Sequence, residues 1–137
     1  MTTTTTTSTT TDLATDYADS FAAMVEARCE AGAPFGHVNE LDEWHDVDEC
    51  PADCEQREAS AYDYLSDALD IHYVVNGDHA YRAARVCVGF GGPNVWIDTT
   101  RNEVQVSWGW DYAARSLHGA FINALNDALA ELWETGA

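Results

Sequence analysis

YRAARVCVGFGGPNVWIDTTRNEVQVSWGW, residues 81–110, alternates apolar and polar side chains with a period of two and is cut twice by turn-forming residues. That alternation is the signature of half-buried strands bounded by turns. YRAARVCVGF (81–90) predicts a strand with Val86, Val88 and Phe90 on one face. GGP (91–93) is a tight connection that needs the backbone freedom of glycine. NVWID (94–98) predicts the next strand, and TTRN (99–102) the turn after it. Asp98, at the strand end, is placed to accept hydrogen bonds from the amides of that turn. EVQVSWGW (103–110) predicts a further strand with Val104, Val106, Trp108 and Trp110 on one face. Upstream, IHYVV (71–75) and the turn signal NGD (76–78) add one more strand. The result is an antiparallel meander of four strands.

Outside 71–110 the period changes to that of a helix. Leu117, Phe121, Leu125, Ala128, Leu129 and Leu132 recur at helical spacing, so 112–134 predicts a helix, with Gly136 just past its end. Residues 12–31 predict another. Its apolar stripe is Leu13, Tyr17, Phe21, Met24 and Val25, and AGAPFG (31–36) stops it. Asp12, Asp16, Asp19, Glu26 and Glu30 fall within roughly 80° of arc on the opposite side, at 100° per residue. Residues 37–50 read as an acidic loop. Pro51 suits the first turn of a second helix over 51–70, with Cys54, Ala61, Tyr62, Leu65, Ala68 and Leu69 apolar and Asp53, Asp63, Asp67 and Asp70 opposed. Arg28 and Glu58 interrupt the two apolar stripes and are expected to pair where the helices pack. The expected architecture is α+β: a four-stranded antiparallel meander with two N-terminal helices and one C-terminal helix packed on it. The 137 residues suit one domain, 12–137, with an acidic helical half (12–70) and a sheet-plus-helix half (71–134). The threonine tract 1–11 has nothing to bury and is expected to be disordered.

The segment VCVGFGGPNVWIDTTRNEVQVSWGW resembles that of small uncharacterised proteins of phages and mobile elements. The resemblance lies in Gly91, Gly92, Pro93, Asn94, Val95, Ile97, Asp98 and Thr99, followed by Trp108 and an acidic C-terminal helix. It covers roughly residues 71–134. It implies a shared turn–strand core and a mobile-element origin, and it implies no catalytic activity.

Residue chemistry narrows the function classes. His37, His45, Cys50 and Cys54 are the residue types zinc prefers, but the spacing His-x7-His-x4-Cys-x3-Cys matches no common finger. Cys54 also sits in an apolar stripe, where a buried thiol is ordinary. Ser107, His72, His79, His118 and Asp98 include the types of a nucleophilic triad, yet there is no GxSxG elbow. GFGG (89–92) opens no helix and lacks the later glycine of a phosphate cradle. His72 is expected at the sheet surface and Cys87 as a packed thiol. No enzyme is indicated, and no cofactor other than a zinc ion at His45, Cys50 and Cys54.

Charge is the strongest remaining signal. There are 24 acids against six arginines and no lysine, for a net charge of −18. Residues 11–70 hold 17 of the acids and two of the arginines. Such a chain repels nucleic acid and anionic membranes and favours cationic partners. No run of apolar residues is long enough to span a membrane, and MTTTTTTSTTT lacks the basic and apolar regions of a secretory leader, so the cytoplasm is the expected compartment and the cysteines are expected reduced. The expectation is a phage-type inhibitor that imitates a nucleic-acid backbone and blocks a restriction or CRISPR enzyme. Its expected contacts are Asp12, Asp16, Asp19, Glu26, Glu30, Asp42, Glu43, Asp46, Asp48, Glu49, Asp53, Asp63, Asp67 and Asp70. The alternatives are a small regulatory module with a structural zinc, and an acidic protein adapted to a salty cytoplasm.

Overall fold

The period-two region builds one more strand than its pattern suggests. The computed structural model describes residues 10–38, 44–45 and 57–136. In chain order the elements are α1 (Thr10–Glu30), β1 (His37–Val38), β2 (Trp44–His45), β3 (Arg57–Glu58), α2 (Ala61–Ser66), β4 (Asp70–Val75), β5 (Tyr81–Gly89), β6 (Asn94–Asp98), β7 (Glu103–Trp108), β8 (Asp111–Ser116) and α3 (Gly119–Glu134). Strands β4 to β8 form an antiparallel sheet in sequence order, and β2–β1–β3 form a second, small one. The class is α+β, as expected. The threonine tract lies outside the described residues except for Thr10 and Thr11, which α1 takes in.

Register puts every second residue of the large sheet on a common face. One row runs Ile71, Val86, Ile97, Val104, and Val86, Ile97 and Val104 are fully buried. Phe121, Leu125 and Leu129 of α3, Val25 of α1 and Leu65 of α2 complete this core. Each such side chain removed from water stabilises the fold by about 1.5–3 kcal/mol. Phe35 ties the post-α1 loop to it, with its ring 5.1 Å from Phe121 and 5.4 Å from Tyr64.

Four expectations are corrected. First, residues 112–116 are strand, not helix. Gly109 has φ +64° and, with Trp110, links β7 to β8, whose facing residues are Trp108 and Asp111. Glycine at the first of two loop positions is the requirement of a type II′ hairpin, so the chain reverses there. Trp110 is therefore not on the core face of a strand but fully exposed at the turn tip, at 100%. Second, β5 ends at Gly89 after a register shift, which leaves Phe90 79% exposed instead of in line with Val86. A side chain at Gly89 would crowd Val95, whose Cγ2 lies 3.1 Å from the Cβ position.

Third, the second helix covers only Ala61–Ser66. Ser60 caps it: its Oγ accepts from the Asp63 amide (3.1 Å), and Asp63 Oδ2 accepts from the Ser60 amide (2.8 Å). This capping box fixes the start ten residues after Pro51. Glu58, expected on that helix opposite Arg28, lies instead on β3 opposite His37. Fourth, the seat of α1 is shifted at its N-terminal half: Val25 is buried and Phe21 and Met24 pack against the core as expected, but Ala14 and Ala18 take the places expected of Leu13 and Tyr17. Ala14, Ala18 and Val25 are fully buried, whereas Leu13 and Tyr17 are 37% and 38% exposed. Alanines let the helix axis approach β7 and β8 closely, and this turns the Leu13–Tyr17 edge outward.

Candidate interaction surface

Turning α1 onto its alanine stripe fixes where its acids go. Asp16, Asp19, Glu26 and Glu30 are all exposed, clear of the buried Ala14–Ala18–Val25 stripe. From Asp16 to Glu30 the stripe is about 21 Å long at 1.5 Å per residue. The Arg115 Nε donates to Asp19 Oδ1 at 2.6 Å, an exposed ion pair worth little in water. His118 Nε2 stands 3.9 Å from Glu26 Oε2. Its other nitrogen, Nδ1, accepts from the Ala120 amide at 3.0 Å and so caps α3.

Among the described residues, Asp63, Asp67 and Asp70 do not extend this stripe as one helix-borne ridge. Asp63 is engaged in the capping box of α2. Asp67 is the C-cap of α2. Asp70 opens β4, where its Oδ1 accepts from the Ile71 amide (2.9 Å) and its Oδ2 meets His72 Nε2 (2.9 Å). By register Asp70 shares a sheet face with His72 and Arg85, the face opposite the core. Asp42, Glu43, Asp46, Asp48, Glu49 and Asp53 lie outside the described residues, as do Cys50 and Cys54; the side chains of Asp12 and His45 do as well.

Beside α1 is a cleft of about 260 Å³, lined by Tyr17, Phe21, Arg28, Tyr64, Asp67 and Val88. It exists because the large residues of α1 flank the seat of the helix instead of filling it. Burial pushes the Tyr64 phenol well above its ordinary pKa, and the Arg28 guanidinium opposes the shift. Tyr17 meets Trp108 edge-on at 6.3 Å between ring centroids.

The sheet end near the start of α1 carries exposed aromatics. Asp111, next to Trp110, accepts the Ala14 amide at 3.2 Å, so the β7–β8 turn and the first turns of α1 touch. The β5–β6 loop ends beside the same turn, with the Gly92 Cβ position 4.0 Å from Trp108 Nε1. Phe90, Trp110 and Tyr112 (57% exposed) are thus exposed at the same end of the sheet, with Tyr112 on the face opposite the core by register. The sequence signal for this was Gly109–Trp110, a two-residue hairpin tip.

The face opposite the core is a polar network. Trp96 meets the His72 ring at a tilt, 4.9 Å between centroids, and lies under the Arg85 guanidinium at 4.5 Å. Arg85 donates to Gln105 Oε1 (3.0 Å), and Gln105 Nε2 donates to Asp98 Oδ2 (3.1 Å) and Glu103 Oε2 (2.9 Å). Asp98 Oδ1 accepts from the amides of Thr100 (2.8 Å) and Arg101 (3.4 Å), the turn role expected of it. His72 is exposed and Cys87 buried, also as expected.

The residue types of a hydrolytic triad are dispersed. His79 is in the β4–β5 turn, His118 caps α3, and His72 pairs with Asp70. Among the side chains described, no three His, Cys, Asp or Glu are gathered for a metal. No described helix is long and apolar enough to cross a membrane. Comparison with protein-family models, curated proteins and solved structures finds no match to the chain.

Proposed function

We propose that this chain is an acidic binding protein whose α1 face stands in for a nucleic-acid backbone in the cationic groove of a nucleic-acid-handling enzyme, of the restriction or CRISPR kind that phage proteins block. The observation that carries the reading is the seat of α1. The helix buries Ala14, Ala18 and Val25, and so turns Asp16, Asp19, Glu26 and Glu30 outward together. Their 21 Å or so matches about six nucleotide steps at roughly 3.4 Å each. Spacings such as Asp16–Asp19 and Glu26–Glu30 cost about 0.2–0.5 kcal/mol apiece as like-charge helix neighbours. Folding gains little from that arrangement, whereas binding to a guanidinium-lined groove would gain from it.

The exposed Trp110 adjoins the first turns of α1 through its neighbour Asp111, and Phe90 is exposed at the same end of the sheet. Trp and Phe are the side chains that anchor interfaces, so they would hold what the carboxylates steer. The contact set is thereby centred on α1, with Asp63, Asp67 and Asp70 outside its ridge.

The test is competition. Purified chain is titrated into DNA-cleavage reactions of purified restriction and CRISPR nucleases at low salt. Inhibition is expected with at least one of them, relieved by excess non-cleavable duplex and weakened as salt rises. The triple variant Asp16→Asn, Glu26→Gln, Glu30→Gln is expected to lose inhibition by tenfold or more while staying folded. Inhibition that duplex DNA does not relieve, or that the triple variant retains, would overturn the reading.

A further inference from the structure

We infer that the chain forms a two-fold dimer in which Trp110 of each copy enters the cleft beside α1 of the other. The inference does not rest on the function proposed above. It concerns the chain without a partner, and a cationic partner that meets Trp110 displaces the second copy. It begins with Trp110 itself, 100% exposed at a two-residue hairpin tip. Tryptophan is highly buried on average in folded proteins and is enriched at the centres of interfaces. Covering such a ring removes roughly 150–250 Å² from water.

The cleft has the size and the chemistry of an indole site. Pockets of roughly 300–1,000 Å³ hold drug-sized ligands, so about 260 Å³ suits one large side chain. The rings of Tyr17, Phe21 and Tyr64 and the methyls of Val88 offer apolar contact, Arg28 a cation and Asp67 an acceptor. A guanidinium favours indole over the other aromatic faces, and it meets the ring with its flat side, so its N–H groups keep the bonds they have. A buried indole N–H needs an acceptor, and a carboxylate accepts several hydrogen bonds at once. The ring of Phe90, 79% exposed at the same end of the sheet, has no N–H to offer Asp67. Trp110 is the tip that the cleft fits.

Tip and cleft are neighbours on one molecule, which selects a second copy as the source of the indole. Asp111, next to Trp110, accepts the Ala14 amide at 3.2 Å, and Tyr17, less than one helical turn further along α1, lines the cleft. Trp108, on the strand that leads to the tip, meets Tyr17 at 6.3 Å between ring centroids. A two-fold axis through a patch that carries both a tip and a hollow sets each against its complement, so the contact is made twice and the assembly closes. Two copies of net charge −18 repel each other, so the apolar contact acts against electrostatics. Salt screens that repulsion, and the dimer tightens as salt rises. Binding of α1 to a cationic groove weakens as salt rises, so the two readings fail separately.

The test is sedimentation velocity of the full chain over a range of concentration and salt. A monomer–dimer equilibrium is expected, tighter at high salt than at low. Trp110→Ala, at an exposed tip, is expected to keep the urea midpoint of the parent chain and to weaken the dimer by about tenfold or more. On the unmodified chain, the indole N–H NMR signal that Trp110→Ala removes and the Val88 methyl signals are expected to shift together as concentration rises, so the outcome does not depend on a variant folding. A chain that stays monomeric at millimolar concentration and high salt, a dimer that Trp110→Ala leaves intact, a ladder of larger species, or a Trp110 signal that shifts while Val88 stays still would each overturn the inference.

Discussion

On one face of the large sheet the cross-strand row Ile71, Val86, Ile97, Val104 ends in Arg115; one residue along, on the other face, the row His72, Arg85, Asp98, Glu103 ends in Ser116. The same five strands make both. The first row lies under α1, α2 and α3 and holds the buried core. The second carries the Trp96–Arg85–Gln105–Asp98 network, and among the described residues no helix packs on it. The comparison teaches that stability and recognition are divided by strand alternation. A side chain on the covered face is held by apolar contact, and one on the polar face by hydrogen bonds and ring contacts. Arg115 breaks the pattern. It belongs to the covered row, but at the edge strand, where it escapes past α1 to reach Asp19.

The largest effect separates the two faces directly. Phe121 is fully buried and meets Phe35 and Tyr64. Phe121→Ala is expected to lower unfolding free energy by about 3–5 kcal/mol. Trp96→Ala removes a larger ring from the polar face but is expected to cost only about 1 kcal/mol, the size of a partly exposed cation–π contact. Urea midpoints of the two variants check this. Equal losses would mean that the polar face is a second core.

The same asymmetry explains what the sequence made legible. The strands at 71–98 and the start of β7 were readable because alternation and turn residues agree there, and Asp98 declared its role through the TTRN turn that follows. The stripe of α3 was readable through Phe121, Leu125 and Leu129. The strand β8 was not, because Tyr112, Ala113, Ala114 and Arg115 have ordinary helix propensity and the sheet edge overrides it. Its one local signal was Gly109. The seat of α1 was misjudged because side-chain size favoured Leu13 and Tyr17, whereas close helix–sheet approach selects Ala14 and Ala18. The acid stripe of α1 survived that error, since a rotation of the seat leaves the acids clear of it.

A change of intermediate size tests the covered face by pH. Burial raises the phenol pKa values of Tyr64, Tyr73 and Tyr81, and Tyr73 and Tyr81 pack edge-on at 6.3 Å. Unfolded tyrosine ionises near about 10, while the folded phenols stay neutral above that. The contribution of these groups is therefore fully present below about pH 10 and is lost as pH rises toward the folded values. Thermal unfolding midpoints are expected to fall steadily above about pH 10, and less steeply in Tyr64→Phe. A midpoint flat across that range would show these phenols to be open to water.

The smallest effect tests the exception. Arg115 and Asp19 have side chains 40% and 56% exposed, so their 2.6 Å contact is screened by solvent. Removing either charge, as Arg115→Gln or Asp19→Asn, is expected to change stability by less than about 1 kcal/mol, with a coupling of roughly 0.2–1 kcal/mol in the double-mutant cycle. The two single variants nonetheless differ in what they do to the α1 surface. Asp19→Asn removes one of its acids, whereas Arg115→Gln frees an acid that a cation had covered. If α1 meets a cationic groove, Arg115→Gln strengthens that binding at low salt and Asp19→Asn weakens it, although both break the same ion pair. A pair of variants that are alike in stability and opposite in affinity would place Asp19 in the contact; affinities that move together would place the pair outside it.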